Sequence, residues 1–395
     1  MGKDNVVIVS GARTAVGKFA GSLKEYEASD LAAFAIKAAY ERAGIPAEDI
    51  DEVVMGNVAS AAENAFMARL SSVKAGIPYE AGAITVNRLC SSGLQAIVTG
   101  AMEIQCGFAD IVAAGGGESM DNIPFYVRKG RFGYRMGNGN LEDGLITALS
   151  DPFTGCHMGI TAENVAEKYH ITREEQDAWA AISQNRAAAA RDAGKFKEEI
   201  VPVEYHVSRK ETAIFDTDEF IRDNVTVESL SKLKPAFKKD GTVTAGNASG
   251  INDAGAAVIL MKEEEASKRG IKPIVRIVDA AVAGVDPMLM GTGPIPSTKK
   301  LLKKTGLTLD DIGLIELNEA FASQTLACIR ELGLDTEKVN VNGSGISIGH
   351  PIGATGAIIT IKLMNEMKRR NVQYGLATLC IGGGQGLSVL FELCK

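Results

Sequence analysis

Short apolar runs alternate along this chain with longer stretches whose apolar residues recur at helical spacing, and the whole order occurs twice. Residues 6–9 read as a strand, and residues 31–42 as an amphipathic helix. The block Gly44-Ile-Pro-Ala-Glu-Asp-Ile-Asp-Glu-Val-Val-Met-Gly-Asn57 then gives a helix stop, an acidic pair and an apolar strand. In the second half, residues 274–278, 298–305 and Gly306-Leu-Thr-Leu-Asp-Asp-Ile-Gly-Leu-Ile-Glu-Leu-Asn-Glu319 repeat that order. Residues 84–87 and 339–342 read as strands running into small-residue loops and then helices; 111–117 and 376–384 read as apolar strands ending in triple glycine. Two halves of β-α-β-α-β pattern imply parallel sheets covered by helices. Between them the texture changes: 128–131 and 138–140 look like loop, and 160–192 is a polar helical stretch opened by the capping-box pattern Thr172-Arg-Glu-Glu175. The reading is a loop-rich insertion in the first half.

Composition narrows the class. At 395 residues, 46% hydrophobic and 23% charged, the chain is an ordinary globular one of two domains or three. A net charge of −7 argues against a general nucleic-acid surface, though not against a small anion held by local cations. No apolar run approaches a membrane span. Only Gly2, Lys3, Asp4 and Asn5 separate Met1 from the first apolar run, which leaves no room for a leader. Six unclustered cysteines without C-x-x-C pairing suit a reduced cytoplasmic setting. Glycine is high, 43 residues, and it gathers at 115–117, 343–356 and 382–386. Those loops need unusual backbone angles or close approach to a ligand.

Cys90 is read at the end of a strand spanning 84–89, just before a helix, where unpaired N–H groups and the helix dipole favour thiolate. By position alone a small buried hydrophobe fits as well; the polar, glycine-containing surroundings favour a nucleophile. His350 lies in Gly343-Ser-Gly-Ile-Ser-Ile-Gly-His-Pro-Ile-Gly-Ala-Thr-Gly356, the loop that corresponds by the repeat to the Cys90 loop. A pseudo-twofold would bring the two together as an activated thiol, with a satisfied structural histidine as the alternative. Cys380, beside Gly382-Gly-Gly384, is a candidate acid/base, and Asn318 a candidate donor at another strand end. His170 and His206 sit among polar residues and read as solvated. The glycine loops miss the dinucleotide fingerprint, and phosphate-loop and metal motifs are absent.

These residues resemble the thiolases. The matching blocks are Val86-Asn-Arg-Leu-Cys-Ser-Ser-Gly-Leu-Gln95, Gly115-Gly-Gly-Glu-Ser119, Gly246-Asn-Ala-Ser-Gly250, Asn318-Glu-Ala-Phe321, Gly349-His-Pro-Ile-Gly353 and Cys380-Ile-Gly-Gly-Gly384, in family order across nearly the whole chain. The resemblance implies a duplicated α/β fold, βαβαβαββ twice, with two mixed sheets around central helices. It divides the chain into a first half (1–118 with 251–270), an inserted loop domain (119–250) and a second half (271–395). It implies a homotetramer that condenses two acetyl-CoA reversibly to acetoacetyl-CoA and CoA, with these thioesters as substrates and no separate cofactor or metal. Cys90 would carry the acyl group and His350 would take its proton. Cys380 would deprotonate the second acetyl-CoA. Asn318 with His350 would hold one thioester oxygen, and the backbone N–H groups of Cys90 and Gly382 the other.

His157-Met-Gly159 resembles the segment that narrows the acyl pocket of short-chain members, with Met158, Met290 and Phe321 around it. Ser249 resembles a pantetheine contact, and Arg222 an adenine- or phosphate-side contact. Gln385-Gly386 also occurs in degradative members, so a 3-ketoacyl-CoA thiolase of broader chain length is the runner-up. A non-catalytic CoA- or lipid-binding relative is the reading from another class. Because Cys90 and Cys380 must reach the same carbon, mild oxidation is expected to join them reversibly, given a Cα separation of roughly 4.4–6.8 Å.

Overall fold

The computed structural model describes residues 5–395; residues 1–4, the span read as too short for a leader, lie outside the described residues. In chain order the first half supplies strand β1 (Val6–Thr14), helix α1 (Ala28–Ala43), β2 (Glu52–Gly56), α2 (Met67–Lys74), β3 (Gly82–Val86), α3 (Ser92–Gln105) and β4 (Ile111–Ser119). Helices α4 (Met158–Lys168) and α5 (Arg173–Asp192) follow, and then β5 (Asn252–Lys262). The second half supplies β6 (Val275–Gly284), α6 (Pro294–Thr305), β7 (Leu314–Leu317), α7 (Ala322–Leu332), α8 (Thr355–Arg370), β8 (Tyr374–Ile381) and β9 (Gln385–Leu393).

The repeated sequence blocks have a common physical cause. Helix α1 buries Leu31, Ala32, Ala35, Ile36 and Ala39, one stripe of a helical period, and stops at Gly44 with φ 67°. Helix α6 stops at Gly306 with φ 75°. Both are left-handed caps that glycine adopts without a Cβ clash. A single 3₁₀ turn then holds each acidic pair, Ala47–Asp49 and Leu309–Asp311, before β2 and β7.

The sheet order is β7-β8-β9-β6-β1-β5-β4-β2-β3, which reads nearly the same outward from its middle in both directions. This corrects the expectation of parallel sheets. Only β2 with β3, β2 with β4, and β7 with β8 run parallel in this row, while β5 and β9 return antiparallel beside β4 and β8. It also refines the expectation of two sheets. The halves join at β1 and β6 through two residue pairs, Val7 with Arg276 and Ile8 with Val275, into one continuous sheet. The strand expected at 339–342 reduces to one bridge between Ile315 and Val339. Asn340, at φ 49°, turns the chain away, and its side chain bonds the N–H and the carbonyl of Leu317 in place of a backbone ladder. Within 119–250, read as loop-rich, the 20-residue α5 stands out; its capping box is formed, Thr172 Oγ1 accepting from Glu175 N–H and Glu175 from Thr172 N–H.

Helices α3 and α8 lie between the halves, each in contact with strands of both. Every residue of α8 from Thr355 to Met367 is buried. Their crossing depends on two glycines at equivalent places. A Cβ on Gly356 would sit 2.2 Å from Leu94 N, and one on Gly93 2.9 Å from Gly353 O. Helix backbones can approach this closely only without side chains between them. The loops entering the two helices are thereby drawn to one place, and those loops carry Cys90 and His350.

Segment 119–250 is pinned to the rest by buried polar links. Arg13 of β1, fully buried, bonds Asp218 through Nη1 and Nη2 at 2.7 and 3.0 Å and Glu199 through Nε at 3.1 Å. Removing one partner of so buried a set costs about 3–5 kcal/mol, because an uncompensated charge is left behind. Helix α5 docks through Trp179 Nε1 and Ser183 Oγ onto the Glu319 carboxylate, at 3.0 and 2.5 Å.

Candidate active site

Strand β3 ends at Val86, earlier than the expected 89, because the next residues turn on themselves. Asn87 Oδ1 accepts from Leu89 N–H at 2.9 Å, and Leu89 takes φ 46°. For a leucine this left-handed backbone stores roughly 1–3 kcal/mol of strain. Ser92 Oγ holds the turn, donating to Leu89 O at 2.7 Å and accepting from Arg88 N–H at 2.9 Å. The result projects Cys90 at the head of α3.

The Cys90 thiol faces its own backbone N–H and that of Gly382, which draw its pKa down, but burial outweighs both and holds it above the ordinary thiol value. Burial thus works against the expected thiolate, because desolvation of a charge exceeds what two amide donors return. The residue as a whole is half-buried.

His350 is buried, and burial lowers its pKa to about 4. Its backbone N–H donates to Asn252 Oδ1 at 2.9 Å. Its Nδ1 lies 2.6 Å from Thr355 Oγ1, which also bonds Pro351 O at 2.9 Å. A carbonyl only accepts, so the single hydroxyl proton goes there and Thr355 accepts from Nδ1–H. That tautomer leaves Nε2 with a lone pair. Asn318 Nδ2, at 3.3 Å, donates to it. Asn318 Oδ1 is buried without a hydrogen-bond partner, an atom that a water or a substrate group would satisfy.

Cys380 is fully buried in β8, and its pKa is raised well above the ordinary value by burial first and then by the neighbouring Cys90 and Cys328. Both Cys90 and Cys380 are free thiols. Cys380 packs in one apolar cluster with Met158, Met290, Phe321, Ala248 and Phe237. A Cβ on Gly382 would lie 3.3 Å from Leu89 Cδ1 and 3.6 Å from Met158 Sδ, so the two loops meet over Met158. His157 caps α4, its Nδ1 accepting from Gly159 N–H at 3.1 Å, and stacks on Phe237 with ring centroids 4.8 Å apart. Burial lowers its pKa. Phe237 meets Phe321 edge-on. Ser249 N–H donates to Ala320 O at 3.0 Å, which lays 246–250 alongside 318–321. Arg222 stands apart from this cluster: it is exposed, with its guanidinium 5.3 Å over the Phe220 ring. His170 and His206 are exposed.

Sequence reasoning passed over Thr355, Asn252 and Glu319. Thr355 and Asn252 orient His350, and Glu319 ties α5 to the strand end that carries Asn318. Thr355 lies five residues after His350 in the same glycine-rich block, a signal that could have been read; Asn252, 98 residues distant, gives none. Among the described residues no three His, Cys, Asp or Glu side chains gather as a metal site would require, and no helix is long and apolar enough to cross a membrane.

Residues 6–264 match the thiolase N-terminal domain and residues 271–393 the thiolase C-terminal domain. The chain belongs to the thiolase family. It is 52% identical over 393 residues to an acetyl-CoA acetyltransferase of Rhizobium meliloti (strain 1021), covering 99% of this chain and 100% of the relative. It is 50% identical over 389 residues to beta-ketothiolase BktB of Cupriavidus necator, covering 98% of each. Among solved structures it resembles human mitochondrial 3-ketoacyl-CoA thiolase in complex with CoA, with a TM-score of 0.95 and 45% identity, covering 99% of this chain and 98% of that one.

Proposed function

We propose that this thiolase is an acetyl-CoA acetyltransferase, interconverting two acetyl-CoA with acetoacetyl-CoA and CoA through an acyl group carried on Cys90. The observation that carries the reading is that the Cys90 thiol faces the Gly382 N–H and lies close enough to Cys380 to raise its pKa, while the loops carrying Cys90 and the buried, Asn318-bonded His350 are drawn together at Gly93 and Gly353.

The reaction starts from two thiols and a neutral imidazole, the forms that burial favours at all three groups. Cys90 sulfur attacks the thioester carbon as its proton passes to His350 Nε2, and the oxyanion is received by the N–H groups of Cys90 and Gly382. On collapse the CoA sulfur leaves with the proton of Cys380. Acyl-Cys90, imidazolium and a Cys380 thiolate remain. That thiolate removes a methyl proton from the second acetyl-CoA, while imidazolium and Asn318 stabilise the enolate oxygen. The carbanion attacks acyl-Cys90, and the departing Cys90 sulfur recovers its proton from His350. All three groups return to their starting state.

His350 as base must be neutral, and burial keeps it so down to about pH 4. The acid limb of kcat/KM therefore falls below pH 6; a midpoint at the ordinary histidine value of 6.5 contradicts this assignment of the base.

Met158, Met290 and Phe321 pack around Cys380 near the His157–Phe237 stack, which supports reading them as the wall of a short acyl pocket. Thiolysis of acetoacetyl-CoA is expected to exceed that of a ten-carbon 3-ketoacyl-CoA by roughly tenfold or more in kcat/KM. Equal rates in a spectrophotometric assay would favour the second reading, a thiolase of broad chain length, which the likeness to the human 3-ketoacyl-CoA enzyme supports. Six free cysteines suit a reducing, cytoplasmic setting. Assembly as a homotetramer would cover Phe132 and Met136, 90% and 93% exposed.

A further inference from the structure

The block Gly115-Gly-Gly-Glu-Ser119 has no part in the chemistry above, yet its glutamate is fully buried at the end of β4. Glu118 Oε1 accepts from Asn57 Nδ2 at 2.9 Å and from Ala59 N–H at 3.1 Å, and Oε2 from Val58 N–H at 2.9 Å. The backbone N–H of Gly353 donates to the same carboxyl. A Cβ on Gly353 would lie 2.5 Å from Glu118 Oε2, so only glycine permits this approach. Gly353 belongs to the His350 loop. On the other side the path continues without a gap: Asn87 Nδ2 donates to Val58 O at 3.0 Å, and Leu89 N–H to Asn87 Oδ1 at 2.9 Å, one residue before Cys90.

We propose that Glu118 is a positioning residue that sets the spacing of Cys90 and His350, by clamping the histidine loop at Gly353 to the 57–59 loop that holds the Cys90 turn. The inference deepens the function proposed above and rests on it. Burial raises the Glu118 carboxyl to about 7 against its four donors; above neutrality it is the acceptor-only carboxylate that four convergent donors suit, whereas an amide would set its own NH₂ against N–H groups. The groups touching Glu118 are neutral amides; Cys90 is the titratable neighbour that feels its charge, which helps to keep the thiol protonated.

The test uses Glu118→Gln in the full-length protein with two readouts. One is kcat and KM for acetoacetyl-CoA thiolysis. The other is the pH dependence of Cys90 alkylation by iodoacetamide, followed by peptide mass spectrometry. A loop shift of about 1 Å costs on the order of 100-fold, so kcat is expected to fall by roughly that factor with KM changed less than about twofold. The alkylation midpoint is expected to move down by roughly half a pH unit, since a negative charge has been removed. A kcat within about twofold of the parent, or an unmoved midpoint, overturns the proposal. Alkylation needs no thiolase turnover, so it reports on the closeness of the Glu118 charge to Cys90 even if the acyl chemistry were assigned wrongly. Should Glu118→Gln not fold, Glu118→Asp keeps the charge but shortens the reach. It is then expected to lose kcat with a parental alkylation midpoint, and parental kcat in that variant overturns the proposal equally.

Discussion

Cys90→Ala is expected to lower acetoacetyl-CoA thiolysis by about 10⁴-fold or more, and to leave no acetyl group on the protein after incubation with acetyl-CoA. The size follows from removing a covalent nucleophile whose partners act as a unit with it, for which comparable enzymes retain only residual rates. The substitution is structurally mild. Cys90 is only partly buried, it precedes α3, and the turn is held by Asn87 and Ser92 rather than by the thiol. Activity loss should therefore come without loss of fold, measured by circular dichroism. Acetylation that persists on another residue, with turnover retained, would remove Cys90 from the centre of the mechanism.

Cys380→Ala should separate the two half-reactions. Cys90 keeps its imidazole and its two N–H donors, so it still accepts an acetyl group, more slowly because the departing CoA sulfur has lost a proton donor. Carbanion formation then has no base, and condensation is expected to fall by about 10³-fold. Acetyl-Cys90 should accumulate and be visible as intact-protein mass. If Cys380→Ala makes acetoacetyl-CoA at the parental rate, the second thiol is a core residue. If acetylation of Cys90 vanishes along with condensation, Cys380 belongs to the first step instead.

The repeat was readable because each half must solve one packing problem twice. A helix that stops at Gly44 or Gly306 and a strand that must be apolar on both faces leave strong local signals. Sheet direction was harder. The antiparallel strands β5 and β9 differ in origin: β5 enters after residue 250, so no local pattern tied it to β4, its partner over nine residue pairs. The strand expected at 339–342 has the right residue types but loses its ladder to the Asn340 side chain, and propensity does not encode such a substitution. The reactive residues themselves stood out by type and by glycine neighbours. Their protonation did not, because helix-dipole reasoning sees the amides near Cys90, whereas desolvation depends on how much of the fold closes over the sulfur. Asn252, which accepts from the His350 N–H, was silent for the same reason: it acts across the fold, not along the chain.

Holding both sulfurs in their protonated form has a bearing on durability. Alkylating agents and peroxides react with the anion, so an idle molecule presents them with little to attack at neutral pH. In the proposed mechanism, reactivity arises only when a bound thioester offers Cys90 a carbon to bond and His350 a reason to accept a proton. The same burial that makes the nucleophile weak by itself lets it outlast the intervals between encounters with substrate.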